Sequence, residues 1–202
     1  MLAADLKLPL SMGIAAVPGS KPVDQRRLRE GLRQSLRGWV TIVPEKRKEL
    51  TTEGGLDVKS NKKDLKEEVK RLKGIGIKVS LFINPSENDI ELSKETGADM
   101  VEIHTGAYAN EKGICEKELF RVQKAVLKAR ELGLVVNAGH GLNYQNVSGI
   151  AEIEGVRGLY IGHSIISRAV LIGIERAVRE MKDLINASII NLHIAKDAGR
   201  KR

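Results

Sequence analysis

Five short runs dominated by β-branched and other apolar residues recur along the chain: Val40–Val43, Val79–Ile83, Met100–Ile103, Leu134–Val136 and Leu159–Ile161. Each is closed by turn-forming or polar residues, and segments with helical spacing lie between them. Leu65, Val69 and Leu72 share one helix face, with Ser60 or Asn61 as the start signal and Gly74 as the stop. Ser86 opens a shorter helix after Pro85, and Leu119, Val122, Val126 and Ala129 form a third stripe ending at Gly133. Ser164 is placed to cap a long helix whose buried stripe would be Ile166, Val170, Gly173, Ala177, Met181 and Leu184. Nearly continuous apolar strands alternating with helices predict an α/β fold with a parallel sheet. Each parallel connection needs a crossover, and the crossover helices cover the sheet faces.

Such a sheet either stays open or closes as an eight-fold barrel. The five units between Val40 and Leu184 take about 29 residues each, so a full barrel needs about 230 and commonly ~250. The first 39 residues hold at most one more unit, a strand within Leu8–Ala16 and a helix over Asp24–Leu36 carrying Leu28, Leu32 and Leu36. The arithmetic therefore predicts an incomplete barrel of five to six units. The expected organisation is a divergent N-terminal segment over 1–38, a barrel domain over 39–184 and a basic tail over 185–202.

Charge is concentrated at the two ends. Lys21 to Lys48 holds nine basic residues against three acidic ones, and Lys196 to Arg202 holds four against one. Aromatic residues are only 3% of the chain, too few for the stacking platforms of a single-strand nucleic-acid binder, so the arginines read as a solvated helix face. No apolar run approaches the ~20 residues of a membrane span. The weakly apolar stretch Leu8–Val17 lacks the flanks of a signal peptide. With the single Cys115 unable to form an internal bridge, the sequence reads as cytoplasmic, with neither nucleic acid nor membrane as partner.

In parallel α/β folds the residues just past the strands' carboxyl ends line the active site. Here those positions are polar: Thr51-Thr52-Glu53-Gly54-Gly55, then Glu102 with His104 and Thr105, then Asn137-Ala138-Gly139-His140-Gly141, then Gly162-His163-Ser164. Three of the four histidines fall at equivalent places. Imidazole titrates near neutrality and serves as acid or base. Gly139 and Gly141 are expected to leave room for a ligand around His140. Gly162-His163 opens a helix, where free amides and the helix dipole favour phosphate. The glycines after Thr51 suit either a second anion cradle or a plain turn. Glu102 projects from an otherwise apolar strand, and burial there would raise its pKa.

Several of these segments are long enough to carry a family likeness. Pro44-Glu45-Lys46-Arg47 with Glu49 to Val58, Ser80-Leu81-Phe82-Ile83, Glu102 to Ala109, Val136 to Tyr144, and Ile161 to Ile166 together resemble the pyridoxine 5′-phosphate synthase family over Trp39 to Leu184. The resemblance implies a (β/α)8 barrel of the TIM type assembled into homo-oligomers, commonly an octamer. It implies condensation of 3-amino-2-oxopropyl phosphate with 1-deoxy-D-xylulose 5-phosphate to pyridoxine 5′-phosphate, with phosphate and water released. Carried over by motif, His140 is the proton donor and Glu102 the transition-state stabiliser. Thr51 and Gly141 bind the amino-ketone phosphate, and Gly162 with His163 holds phosphate at the last strand. No cofactor or metal is implied. Tyr160 stands where the family usually has asparagine.

The front of the chain departs from that pattern. Nothing in Met1 to Gly38 matches the family's first two strands, and Leu10 to Ala15 is the nearest counterpart of the third, with Ser11 in place of its glutamate. The arginine-rich stretch Arg26 to Arg37 matches no segment of the family. The expectation is a frameshifted or falsely started front end and a chain whose synthase activity is impaired. Two other readings stand beside it: a remnant or half-barrel needing a separate N-terminal piece, and a metal-dependent hydrolase with His104, His140 and His163 as ligands.

Overall fold

The computed structural model describes residues 15–16, 39–44, 54–110 and 116–199. Leu8–Ile14, the basic helix over 24–36, Thr51 and Cys115 lie outside the described residues. Six strands form one sheet: β1 (Ala15–Ala16), β2 (Trp39–Ile42), β3 (Lys78–Ile83), β4 (Met100–His104), β5 (Val135–Gly139) and β6 (Val156–Tyr160). They lie side by side in chain order, and every pairing is parallel.

Between them run α1 (Lys62–Gly74), α2 (Glu87–Glu95), α3 (Gly106–Asn110), α4 (Glu116–Glu131) and α5 (Val147–Ala151). After β6 come α6 (His163–Ile172) and α7 (Ile174–Gly199). The expected helix signals act as read in several places. Leu65, Val69 and Leu72 are the buried face of α1, and the Ser86 hydroxyl accepts from the Asp89 amide at the start of α2. Asn61 is the residue before α1, although its side chain donates to the Asp57 carbonyl instead of capping.

The strand alternation separates two environments. Val40, Ile42, Val79, Leu81, Ile83, Val101, Ile103, Val136 and Ala138 face the helices and form the main apolar core. The opposite face carries Thr41, Ser80, Glu102, His104 and Asn137, all buried polar groups. This inner face is curved enough for β2 to touch β6 across it. The Trp39 indole N–H on β2 donates to the Tyr160 hydroxyl on β6 at 3.2 Å. Three strands separate β2 from β6 along the sheet. Strands four apart stand on opposite walls of an eight-stranded barrel, so six consecutive strands of that barrel account for the contact. Among the described residues no ladder joins β6 to β1, and the fold is a partial TIM-type barrel.

Two expectations need correction. The last strand begins at Val156, not Leu159; Arg157 and Gly158 break the apolar pattern, yet Gly158 pairs with Asn137. The long helix after it is two helices. Gly173 takes a left-handed φ of 84°, which breaks the helix between α6 and α7. Ile166 and Val170, expected in the core, are 59% and 82% exposed, and the buried face belongs to α7 through Ala177, Met181, Ile185 and Ser188. A stripe drawn as one unbroken helix cannot anticipate the turn at Gly173. α7 runs on past Leu184 to Gly199. Among the described residues no helix is long and apolar enough to cross a membrane.

Candidate functional site

A cavity of about 860 Å³ runs from Trp39 and Met100, at the amino ends of β2 and β4, to the rim residues His140 and Gly162–His163, and on to α7. It is lined by Glu102, His140, Gly141, Gly162 and His163, so five of the six residues singled out from sequence share one chamber. Thr51 lies outside the described residues. Trp39, Phe82, Asn137 and Tyr160 also line it, and none was assigned a role from sequence. Their common signal is alternation: each sits on the same sheet face as Glu102. Strand register decides which of them meet.

Glu102 is flanked in register by Phe82 on β3 and Asn137 on β5. Glu102 is 9% exposed, and its carboxyl has no hydrogen-bond or ionic partner among the described residues. Burial pushes its pKa up to about 7. Such an acid is close to half protonated at neutral pH and can exchange a proton with little driving force.

Two residues on, His104 packs its ring edge against Phe82 at 5.2 Å and lies 4.9 Å from the His140 ring, centroid to centroid. Burial, with His140 beside it, holds the His104 pKa down to about 4, and its Nε2 is buried without a partner. It is therefore a neutral imidazole. His140 is also lowered, by burial and then by the neighbouring His163. Among the described residues no three His, Cys, Asp or Glu side chains converge as a metal site requires.

His140 occupies a left-handed conformation, φ 81°, between β5 and Gly141 at φ 76°. That region is strained for a side chain with a Cβ and persists where the surroundings enforce it. Thr105 does so here. Its amide donates to the Gly139 carbonyl at 2.8 Å, and its hydroxyl lies 2.7 Å from that oxygen and 2.6 Å from the His140 carbonyl. Thr105→Val is expected to destabilise the chain by about 1–3 kcal/mol, because it removes the one hydroxyl proton that the two carbonyls share and leaves the His140 carbonyl without it, while Gly139 keeps the amide. Chemical denaturation measures it, and an unchanged midpoint would count against this role.

The glycines serve packing more than ligand access, which corrects the sequence expectation. A Cβ on Gly139 would lie 2.9 Å from Glu102 Oε1 and from Tyr160, and one on Gly141 would lie 2.6 Å from the Ala109 Cβ. The space beside both is already filled. Gly55 likewise commits its amide to Asn84 Oδ1 at 2.9 Å, and its missing side chain lets the chain pass against β3. Gly162 differs: a Cβ there meets nothing within 4 Å. It precedes α6, whose first amides lack helical acceptors. Ser164 does not cap that helix; its hydroxyl donates to the Leu142 carbonyl at 2.9 Å and ties the two rim loops together.

Comparison with known proteins bears on the family and the fold. A family model described as "Pyridoxal phosphate biosynthesis protein PdxJ" matches residues 25–187. The match begins one residue before Arg26, so the whole arginine-rich stretch Arg26 to Arg37, which the sequence reading left outside the family, falls inside it. A pyridoxine 5′-phosphate synthase of Thermodesulfovibrio yellowstonii is 65% identical over 153 residues, covering 75% of this chain and 63% of that protein. One from Prochlorococcus marinus strain MIT 9312 is 48% identical over 189 residues, covering 93% of this chain and 76% of that protein. A chain of the Amycolatopsis orientalis BexX/CysO complex shares the fold, with a TM-score of 0.55 at 15% identity over 89% of this chain and 68% of that one. The chain spans 63% of the length of the first two relatives matched. With a family match over most of its length and a relative this close in sequence, the chain belongs to the PdxJ family of pyridoxal phosphate biosynthesis proteins.

Proposed function

We propose that this chain carries the phosphate-binding and acid–base groups of a pyridoxine 5′-phosphate synthase. That enzyme condenses 3-amino-2-oxopropyl phosphate with 1-deoxy-D-xylulose 5-phosphate. The observation behind this reading is that Glu102, His140 and Gly162–His163 line a single cavity. His140, kept neutral by burial, accepts and returns a proton at the reacting carbon skeleton. Glu102, poised near pH 7, stabilises positive charge when ionised and donates when protonated. The Gly162–His163 turn holds phosphate, and Gly141 and Thr51 join it on the strength of the family resemblance alone. Cytoplasmic residence and a homo-oligomeric state belong to the same proposal.

Ligand binding is the direct test. Inorganic phosphate is expected to bind the wild-type chain, and His163→Ala to weaken it by about threefold to tenfold, the loss of one charge-assisted hydrogen bond. Calorimetric titration reads both. Undetectable phosphate binding, or equal affinity in the variant, would count against the assignment. The unpaired edges of β1 and β6 among the described residues favour a second reading, a half-barrel completed by another polypeptide. A stable monomer in size-exclusion chromatography would argue against that one.

A further inference from the structure

The bond from the Trp39 indole to the Tyr160 hydroxyl joins opposite walls of the chamber and residues 121 apart in sequence. Both side chains line the cavity. Tyr160 is the last residue of β6, two positions before Gly162. On its other side it packs against Gly139, where an added Cβ would meet the Tyr160 Cβ and the Glu102 Oε1 each at 2.9 Å. The Tyr160 Cβ thus stands beside the Glu102 carboxyl, two residues ahead of the Gly162–His163 turn, and its hydroxyl is held by Trp39. A phenol hydroxyl both accepts and donates. Here the Trp39 N–H fills an acceptor position, and among the described residues nothing receives the Tyr160 proton.

Resting on the ligand reading given above, we propose that Tyr160, held by Trp39, is a specificity-determining residue that walls the cavity for a planar, phosphorylated heteroaromatic ligand. The Gly162–His163 turn takes the phosphate, and the ring of the ligand lies against the phenol face. The free hydroxyl proton reaches an acceptor on that ring. Lys182 and Arg157 also line the chamber, but they come from α7 and the outer side of β6, away from the Glu102 wall.

Trp39 is the single tryptophan of the chain, so the emission reports on the surroundings of this one indole, its contact with Tyr160 included. Wild-type protein, Tyr160→Phe and Tyr160→Ala are titrated with pyridoxine 5′-phosphate and, separately, with inorganic phosphate. Tyr160→Phe keeps the ring and is expected to change the emission of the free protein. It should weaken pyridoxine 5′-phosphate by about threefold to tenfold, the value of one hydrogen bond. Tyr160→Ala should weaken it by about tenfold or more. Inorganic phosphate, held at the turn, should stay within about twofold in both variants. Equal loss for both ligands would mean that Tyr160 merely holds the fold, and it overturns the proposal. So does wild-type affinity for pyridoxine 5′-phosphate in both variants, or a wild-type chain that takes phosphate but not pyridoxine 5′-phosphate. A wild-type chain that takes neither overturns the reading beneath it.

Discussion

Gly139→Ala is expected to destabilise the chain by about 3 kcal/mol and to remove Glu102 from its place. The added methyl would sit 2.9 Å from three atoms at once: Glu102 Oε1, the Tyr160 Cβ and the Tyr160 backbone oxygen. A flexible side chain could yield to one such contact. Here β5 is a central strand, paired to β4 through Glu102↔Asn137 and His104↔Gly139 and to β6 through Gly139↔Tyr160. Relief requires parting β5 from β6 or turning the Glu102 carboxyl away. The first breaks a ladder, and the second displaces a buried acid from the cavity. Denaturant titration gives the loss, and a melting point lower by about 6–12 °C is the matching thermal result for a chain of this size. Gly74→Ala is the control. At the end of α1 a Cβ meets nothing within 4 Å, so the variant should be neutral or gain up to about 1 kcal/mol. Equal effects at the two positions would show that the close approach at Gly139 is not what holds the site.

Much of this site is legible in sequence because strand ends announce themselves. A lone carboxylate in Met100–Ile103 marks Glu102 as a buried acid, and the Gly-His and His-Gly pairs mark the rim. Parallel order follows from the alternation of strands and helices, since each crossover returns the chain to the next position in the sheet. What local pattern does not carry is register. Asn137 faces Glu102 because β4 and β5 pair at those residues, and Trp39 meets Tyr160 only because the sheet curls through three intervening strands. Glycine misleads for a related reason. A missing side chain records that something comes close without saying what. At Gly139 and Gly141 the visitor is the protein itself, and at Gly173 the residue signals a break, not a small position in a stripe. Ile166 and Val170 read as core because apolar periodicity shows which residues share a face, not whether a partner covers it.

Removing the charge at the buried acid should reverse a cost that the chain bears for function. Glu102 titrates near 7 in the folded chain against an ordinary 4.5, and desolvation is the cause. For an acid raised by folding, the native state binds more protons than the unfolded state between those two values. Stability is therefore greatest below pH 4.5, falls as pH rises towards 7 and stays reduced above it. The gap corresponds to about 3 kcal/mol. Glu102→Gln keeps the shape and cannot ionise, so it should match the wild type near pH 4.5 and exceed it by about 3 kcal/mol at pH 8, roughly 6–12 °C in melting point. His104 works in the opposite direction. Folding lowers it from 6.5 to about 4, so stability is lost as pH falls through that window in both proteins alike, and the difference between them isolates Glu102. The same substitution removes the group to which the proposal above assigns charge stabilisation, so the stability gained at pH 8 marks that group as one the fold itself does not favour. A difference curve that is flat from pH 4.5 to 8 would mean that water or a cation reaches the Glu102 carboxyl, and its role as a poised buried acid would fall.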